Sequence, residues 1–511
     1  MRSNLFLFKQ ILIMGICIAF LSCTSTNKDK FPEPKIMMGT AKVTGSITNL
    51  QLKDGDEKPI IRLRVPNPVT GEPSMLETYL NKDGSFSFEV PMESNFMIGI
   101  ISSEILRTGL IIGLASQEET KLIITKKDDE NIEVNISSRI ELTSNDVLNF
   151  GDTINQMMMM ENQDSYSSDY KMSPTDFARI TIQNMEKTLN IILNDTILSK
   201  SAQNFGMNEF KLFYLASYLL DYDFYISKTH KDIKTTEDSK EFTPQKLEKS
   251  YFTFLKDFNL NDPQYLYNGS YSRVLKNILF NETLNIPLIK DSPINEWLKQ
   301  VKATMTDLIG ADSGLFYDML VINAYIAQFD NEVQPLSDKQ IENIKSYFKN
   351  EEITKILLKK NDDIMKVAQY NSNPVVKETP AVPLKELMPA IINQYKDKIV
   401  LVDFWTTSCG PCLEAMKEFR EAKDSYKNKD IVFVYITNTS SPLNLWKDKI
   451  KGIGGEHYYL TKGEWKSLQD SFDFIGIPTY QLYDINGKLE KQFSGYPGTN
   501  EMKTMIEQLL P

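Results

Sequence analysis

Apolar and polar positions alternate with a period of two over residues 38–140. Ile60-Ile61-Arg62-Leu63-Arg64-Val65 and Ser85-Phe86-Ser87-Phe88-Glu89-Val90 read as half-buried strands, and Lys82-Asp83-Gly84 ahead of the second is a hairpin signal. Gly, Pro and Asn recur at short intervals up to Ser138, which predicts a small antiparallel, all-β, sandwich-like domain. From residue 141 to 370 the period becomes helical. Ser173-Pro174 opens a helix with Phe177, Ile180, Met185, Leu189 and Ile192 along one side. Ser337-Asp338-Lys339-Gln340 is a capping box leading into Ile341, Ile344 and Phe348. The aromatic crowd Phe213, Tyr214, Tyr218, Tyr222, Phe224 and Tyr225 reads as a packed helix interface, and Met157 to Met160 as flexible packing or a loop. Residues 371–383, with Pro374, Pro380 and Pro383, read as a linker.

Residues 384–511 alternate strands with helices and predict an α/β module. Lys398 to Trp405 is an almost unbroken apolar run, the pattern of a central strand covered on both faces. A second such run spans Ile431 to Thr437. Helices open at Ser441-Pro442 and at the capping box Thr461-Lys462-Gly463-Glu464. Thr479 to Tyr483 and Leu489 to Phe493 flank Asn486-Gly487, a strong hairpin signal. The last helix carries Met502, Met505, Ile506, Leu509 and Leu510 on one stripe.

The chain of 511 residues is long enough for several domains, and its 24% charged and 41% hydrophobic residues are those of a globular protein. A net charge of -11 without a basic run excludes a nucleic-acid partner, which needs cations to neutralise phosphates. At the amino end, Arg2 and Lys9 precede an apolar stretch, Ile11 to Leu21, of signal-peptide length. Phe20-Leu21-Ser22-Cys23 then resembles the lipobox of bacterial lipoproteins. That resemblance implies a signal peptide over 1–22, a lipidated Cys23, a tether over 23–37 and a lipid membrane as partner. With Cys17 discarded and Cys23 lipidated, Cys409 and Cys412 are the two thiols left in the mature chain.

Asp403-Phe404-Trp405, Cys409-Gly410-Pro411-Cys412, Ile477-Pro478-Thr479 and Gly495 occur in order and spacing that resemble a thioredoxin-fold domain. The nearest kind is the membrane-attached thiol–disulfide oxidoreductases of the TlpA/ResA type. The β layout ahead of the module is similar to that of Bacteroidetes-type lipoproteins in this class. The resemblance implies that Cys409 and Cys412 form a redox-active disulfide and that Asp403 is a buried acid taking the proton of Cys412. It makes Ile477-Pro478 a cis-proline loop facing the dithiol, where Trp405, Gly410, Pro411, Ile477 and Pro478 meet substrate, and leaves Gly495 to permit close backbone approach. The position before the first cysteine, often aromatic in the family, is Ser408, and Lys417 replaces a usual kinking proline.

The local physics agrees. Cys409 precedes a helix start, where unpaired amides and the helix dipole favour an anion, while Cys412 lies one turn inside as the resolving thiol. Lowering a thiol pKa from ~8.5 to ~7 corresponds to about 2 kcal/mol, within reach of those groups. Two further ligands for a zinc ion on Cys-x-x-Cys are missing, since His230 and His457 are isolated, so neither metal nor cofactor is expected. No lysine stands on Ile431 to Thr437 to pair with Asp403, as one does in thioredoxins.

The leading expectation is a disulfide reductase acting on disulfide-containing exported proteins, fed by an inner-membrane thiol electron donor. Reducing and oxidising members of such families differ by ~150 mV, about 7 kcal/mol for two electrons, so direction is a large effect. The compartment expected is the periplasm of a Gram-negative envelope, with Thr24 after the lipid cysteine favouring the outer membrane. Two alternatives stand beside it: a binding or scaffold lipoprotein, and a thiol peroxidase suggested by Thr406-x-x-Cys409, which also wants Pro where Val402 stands.

Overall fold

The computed structural model describes residues 29–50, 58–128, 131–164, 171–233, 244–369, 373–474 and 476–510. The signal-peptide segment and Cys23 lie outside the described residues. Among the described residues eight strands come first: β1 (Ile36–Thr48), β2 (Ile60–Val65), β3 (Ser74–Tyr79), β4 (Ser85–Ser94), β5 (Phe96–Ser102), β6 (Leu110–Ala115), β7 (Glu119–Lys126) and β8 (Ile132–Ser137). They form two four-stranded sheets, β4-β1-β7-β8 and β3-β2-β5-β6. Val43, Leu63, Val65, Phe88, Val90, Leu114 and Leu122 fill the space between them. The sandwich is not wholly antiparallel, because β1 pairs with β7 in parallel. Nor does Lys82-Asp83-Gly84 close a hairpin. The turn forms, with Gly84 at φ 78, but β3 pairs with β2 and β4 with β1, so the chain there crosses between sheets.

The tether expected over 23–37 is packed from Asp29 onward. Phe31 is buried between Phe205 and Tyr267, at ring distances of 6.0 and 5.7 Å, and the Tyr267 hydroxyl donates to the Pro32 carbonyl at 2.7 Å. An aromatic ring in an apolar slot outweighs the polar composition around it.

Among the described residues nine α-helices follow: α1 (Ser144–Asp164), α2 (Pro174–Leu193), α3 (Lys200–Tyr214), α4 (Tyr222–Ile233) and α5 (Gly269–Phe280) in the first half. The second half holds α6 (Ile294–Ile309), α7 (Leu315–Ala327), α8 (Asp338–Tyr347) and α9 (Glu351–Ala368). α7 is apolar on nearly every side and forms the centre of the bundle, with Phe316, Met319, Leu320, Val321, Ile322 and Ile326 all buried. Met157 to Met160 belong to α1, where Met157 is buried and Met159 exposed, so the run is neither a loop nor a single face. Of the aromatic crowd, Tyr218 packs 5.0 Å from both Tyr214 and Tyr225, while Phe224 stays exposed.

The C-terminal module comprises β9 (Pro374–Lys377), α10 (Leu387–Ile392), β10 (Ile399–Phe404), α11 (Gly410–Asp424), β11 (Ile431–Asn438) and α12 (Leu443–Lys449). It ends with β12 (Gly455–Leu460), α13 (Lys462–Phe472), β13 (Thr479–Tyr483), β14 (Leu489–Ser494) and α14 (Thr499–Glu507). Its six-stranded sheet has the order β14-β13-β10-β11-β12-β9, with parallel pairing from β10 to β9 and antiparallel pairing at β13 and β14. Val400, Val402 and Phe404 pack toward α10 and α13, while Ile399 and Leu401 pack toward α11 and α14. This is the expected thioredoxin arrangement. The predicted linker loses its first residues to β9: Pro374 is tolerated at the head of an edge strand, where its missing N–H breaks no ladder.

The capping box predicted at Thr461 and Glu464 is complete and starts α13, whose Trp465 meets Phe404 at 5.8 Å. Thr461→Ala is expected to destabilise the module by about 1 kcal/mol, read as a lower denaturant midpoint in the Trp465 emission.

Candidate active site

β10 delivers the site. All six of its side chains are buried, so the strand is held from both faces, and it ends where the chain turns through Trp405-Thr406-Thr407-Ser408 into α11. The turn is pinned by two bonds. The Cys409 amide donates to the Thr406 carbonyl at 3.1 Å, and the Thr407 amide donates to Ser441 Oγ at 3.0 Å. Cys409 is the N-cap of α11, and its sulfur accepts the Cys412 backbone N–H at 3.2 Å. A group that caps a helix start with sulfur is placed where negative charge is favoured. Pro411 lies in the first turn, where a missing N–H leaves no bond unmade.

Cys409 and Cys412 are joined in a disulfide with a Cα–Cα separation of 5.3 Å. Cys409 keeps 9% of its surface exposed and Cys412 none, so the two sulfurs differ in access. Gly410 and Pro411 between them are exposed, and no atom lies within 4 Å of the Gly410 Cβ position. Both cysteines belong to a buried cluster with Trp405, Met416, Tyr435, Trp446 and Ile450, and Ile477 packs against it. The Ile477-Pro478 peptide bond is cis. The structure therefore brings the dithiol and the Ile477-Pro478 loop together.

Two expectations change. Trp405 is wholly buried, packed in the cluster that holds the two cysteines, where the resemblance had it meeting substrate. Gly495 is not a close-approach position either, since its Cβ site is open. Its requirement is the left-handed backbone, φ 81, from which its amide donates to the Pro478 carbonyl at 2.9 Å.

Asp403 is buried on the α11 side of the sheet. Among the described residues its Oδ1 has no hydrogen-bond donor. Burial pushes its pKa well above the usual carboxylate range, and the charge of Lys423 partly offsets this. That lysine is the one sequence reading sought on β11; it comes instead from the last turn of α11. Its Nζ donates to Tyr435 Oη at 3.0 Å and to the carbonyls of Ile453 and Gly454 at 2.8 and 3.1 Å. Burial, then the charge of Arg420, lowers its pKa to about 7, while Asp403 pulls the other way. The signal was present in the sequence. Cys412, Ala415, Met416 and Phe419 form the buried stripe of α11, and Lys423 continues it at i+4.

A cavity of about 30 Å³ lies between these groups, lined by Asp403, Arg420, Lys423, Tyr435, Tyr480 and Tyr496. That is room for about one water molecule. Met416 and Tyr435 border both this cavity and the dithiol cluster, so one side-chain layer separates Asp403 from the sulfurs. His457 stacks on Tyr435 at 5.0 Å, and burial lowers its pKa to about 3, which keeps it neutral. Among the described residues no group of three or more His, Cys, Asp or Glu side chains could hold a metal ion.

Comparison with known proteins places this geometry. The family described as Redoxin matches residues 378–510. The thiol-disulfide oxidoreductase YkuV of Bacillus subtilis is 27% identical over 118 residues, covering 22% of this chain and 78% of that protein. The thiol-disulfide oxidoreductase ResA of Geobacillus thermodenitrificans is 23% identical over 120 residues, covering 24% of this chain and 68% of that protein. Among solved structures, the thioredoxin domain of a thiol-disulfide oxidoreductase from Bacteroides vulgatus is 24% identical, with a TM-score of 0.20, covering 22% of this chain and 83% of that one. The C-terminal module is a TlpA/ResA-like thioredoxin-fold domain of the thiol–disulfide oxidoreductase kind.

The buried pair generates opposite pH dependences. A carboxyl with raised proton affinity binds its proton more tightly when folded, so stability falls as pH rises from the ordinary carboxylate range near ~4. A lysine depressed to about 7 costs stability as pH falls from its ordinary value of ~10.4 toward that folded pKa. Asp403→Asn is expected to flatten the stability–pH curve above about pH 4, and Lys423→Met between about 7 and 10. Melting temperatures measured across both windows check the two signs.

Proposed function

We propose that the chain is a membrane-anchored thiol–disulfide oxidoreductase that reduces disulfides of exported proteins through Cys409 and Cys412. The observation that carries this reading is the asymmetry at the start of α11. One sulfur caps the helix, on a residue that keeps a small exposed surface, and accepts an amide, while the other residue is fully buried.

In the cycle, a thiol protein of the inner membrane supplies two electrons and two protons and opens the Cys409–Cys412 disulfide. The Cys409 thiolate then attacks one sulfur of the substrate, a mixed disulfide forms, and the partner sulfur leaves as a thiolate that takes a proton. Cys412 gives its proton to Asp403, which lies beyond the layer of Met416 and Tyr435, and attacks Cys409. The substrate's second thiolate leaves and is protonated in turn, and the Cys409–Cys412 disulfide is restored. An acid of raised proton affinity suits that step, because its carboxylate takes a thiol proton more readily than an exposed one would. The charge of Lys423 offsets part of that rise. The cis Ile477-Pro478 loop presents backbone beside Cys409 for an extended segment to pair with.

The anchor in this reading is Cys23, carrying lipid on a Gram-negative envelope with the body facing the periplasm, the outer membrane favoured by Thr24. Cys23→Ser is expected to move the protein from the membrane fraction to the soluble fraction, followed by immunoblot of separated fractions. Unchanged partition after that substitution would remove the lipid anchor from the account.

The two cysteine variants separate the chemical roles. Cys409→Ser is expected to lower reduction of a model disulfide protein by ~10³-fold or more, since the attacking sulfur is lost. Cys412→Ser is expected instead to accumulate a mixed disulfide with substrate, seen as a reductant-sensitive band of higher mass. Equal turnover by Cys409→Ser and the native chain would end the catalytic assignment.

A further inference from the structure

Among the described residues one hydrogen bond joins the turn ahead of Cys409 to another element. Thr406 to Cys409 form a tight turn, closed by the Cys409 amide on the Thr406 carbonyl at 3.1 Å. The hydroxyls of Thr406 and Ser408 meet each other at 3.3 Å, inside the turn, and Thr407 Oγ1 is buried without a partner among those residues. The tie to the outside is the Thr407 amide, which donates to Ser441 Oγ at 3.0 Å. Thr407 is buried, and a buried donor left unpaired is costly, so this acceptor holds the peptide in one orientation.

Ser441 is itself fixed from three sides. It is wholly buried at the connection from β11 to α12. Its hydroxyl meets Thr437 Oγ1 at 2.8 Å, its amide donates to the Asn438 carbonyl at 2.9 Å, and its carbonyl accepts the Tyr459 hydroxyl at 2.6 Å. Thr437 follows Ile436 on β11, whose carbonyl accepts the Trp405 amide at 3.0 Å. The serine is therefore anchored to the same sheet that delivers the turn. Pro442, directly after it, caps α12, and α12 carries Trp446 into the cysteine cluster.

We propose that Ser441 is a positioning residue for the dithiol: through the Thr407 amide its hydroxyl fixes the turn that keeps the Cys409 sulfur under the Cys412 N–H, and so sets the reactivity of that sulfur. This rests on the disulfide-reductase reading above. The chain of dependence is short. Without the serine hydroxyl, the Thr407 peptide turns in search of another acceptor. The Cys409 amide closes that same turn, so its Cβ moves with the peptide and the sulfur swings from the Cys412 N–H, 3.2 Å away. A donor aimed at a thiolate favours the charged form, and lengthening the bond removes that preference.

The test uses the mature chain carrying Cys23→Ser, so that Cys409 and Cys412 are its two thiols, reduced and freed of reductant. Into it go Ser441→Ala, Tyr459→Phe and Thr437→Val. The rate of alkylation by iodoacetamide is followed against pH, beside the melting temperature of each protein. Cys412 is fully buried, so the profile reports Cys409. Burial raises the pKa of Tyr435 and Tyr459, the titratable side chains packed in the surrounding cluster, and Asp403 and Lys423 are the same in every variant. Ser441→Ala is expected to move the midpoint up by about half to one pH unit and to slow alkylation at pH 7 roughly three- to tenfold, as the thiolate fraction falls. Tyr459→Phe removes a different bond from the same serine and is expected to lower the melting temperature while leaving the midpoint in place. Thr437→Val keeps the acceptor but frees it from β11, and is expected to give a smaller upward shift; it carries the test if Ser441→Ala does not fold. A midpoint unmoved in Ser441→Ala, or in Thr437→Val where the alanine variant is unfolded, overturns the role of Ser441. An equal shift in Tyr459→Phe overturns it too, since general loosening would then suffice. Failure of the native chain to reduce insulin, alongside a shifted midpoint in Ser441→Ala, would overturn the reductase reading and leave the positioning role standing.

Discussion

Everything in the site depends on one hydrogen bond: the amide of Cys412 directed at the sulfur of Cys409. It exists because a strand buried on both faces ends in a pinned turn and runs directly into a helix. The strand gives the turn a fixed origin, and the helix gives it unpaired donors. Between them they separate two chemically identical thiols into one that is reachable and one that is not. Neither sulfur carries this difference in its own composition; it comes from position along four residues.

Below that bond lies a second constraint of a different kind. Asp403 and Lys423 are an acid and a base that line one small cavity, yet the lysine spends its donors on Tyr435 and two carbonyls. The pair interacts through space and not by direct contact. That arrangement leaves the carboxyl short of partners and its proton affinity high, and the cavity leaves space for a water. A tight ion pair at the same position would hold the acid ionised and unable to pick up a proton.

Much of this is legible in the sequence alone. The apolar run at Ile399 to Phe404, the capping boxes at Ser337 and Thr461, the Asn486-Gly487 hairpin and the four motifs of the C-terminal module depend on neighbours in sequence. Local signals report them faithfully. What was missed depended on partners far along the chain. β9 is a strand because β12 offers it an edge, and three prolines nearby gave the opposite impression. Lys82-Asp83-Gly84 makes a turn but not the expected hairpin, because β1, some forty residues earlier, sets which sheet receives β4. Lys423 reaches Asp403 from α11, not from the neighbouring strand where thioredoxins carry it. The parallel pairing of β1 with β7 left no mark in a period-two pattern, which is the same for either direction.

Phe31 carries a mechanical consequence. Its ring is gripped by Phe205 and Tyr267, and the carbonyls of Phe31 and Pro32 accept bonds from Gln264 and Tyr267. Any tension applied from the amino end is therefore delivered to the helical bundle at that grip, more than three hundred residues before the reactive sulfurs. The bundle acts as a strain relief, as a cable clamp protects a solder joint, and the turn into α11 keeps its geometry while the far end is pulled.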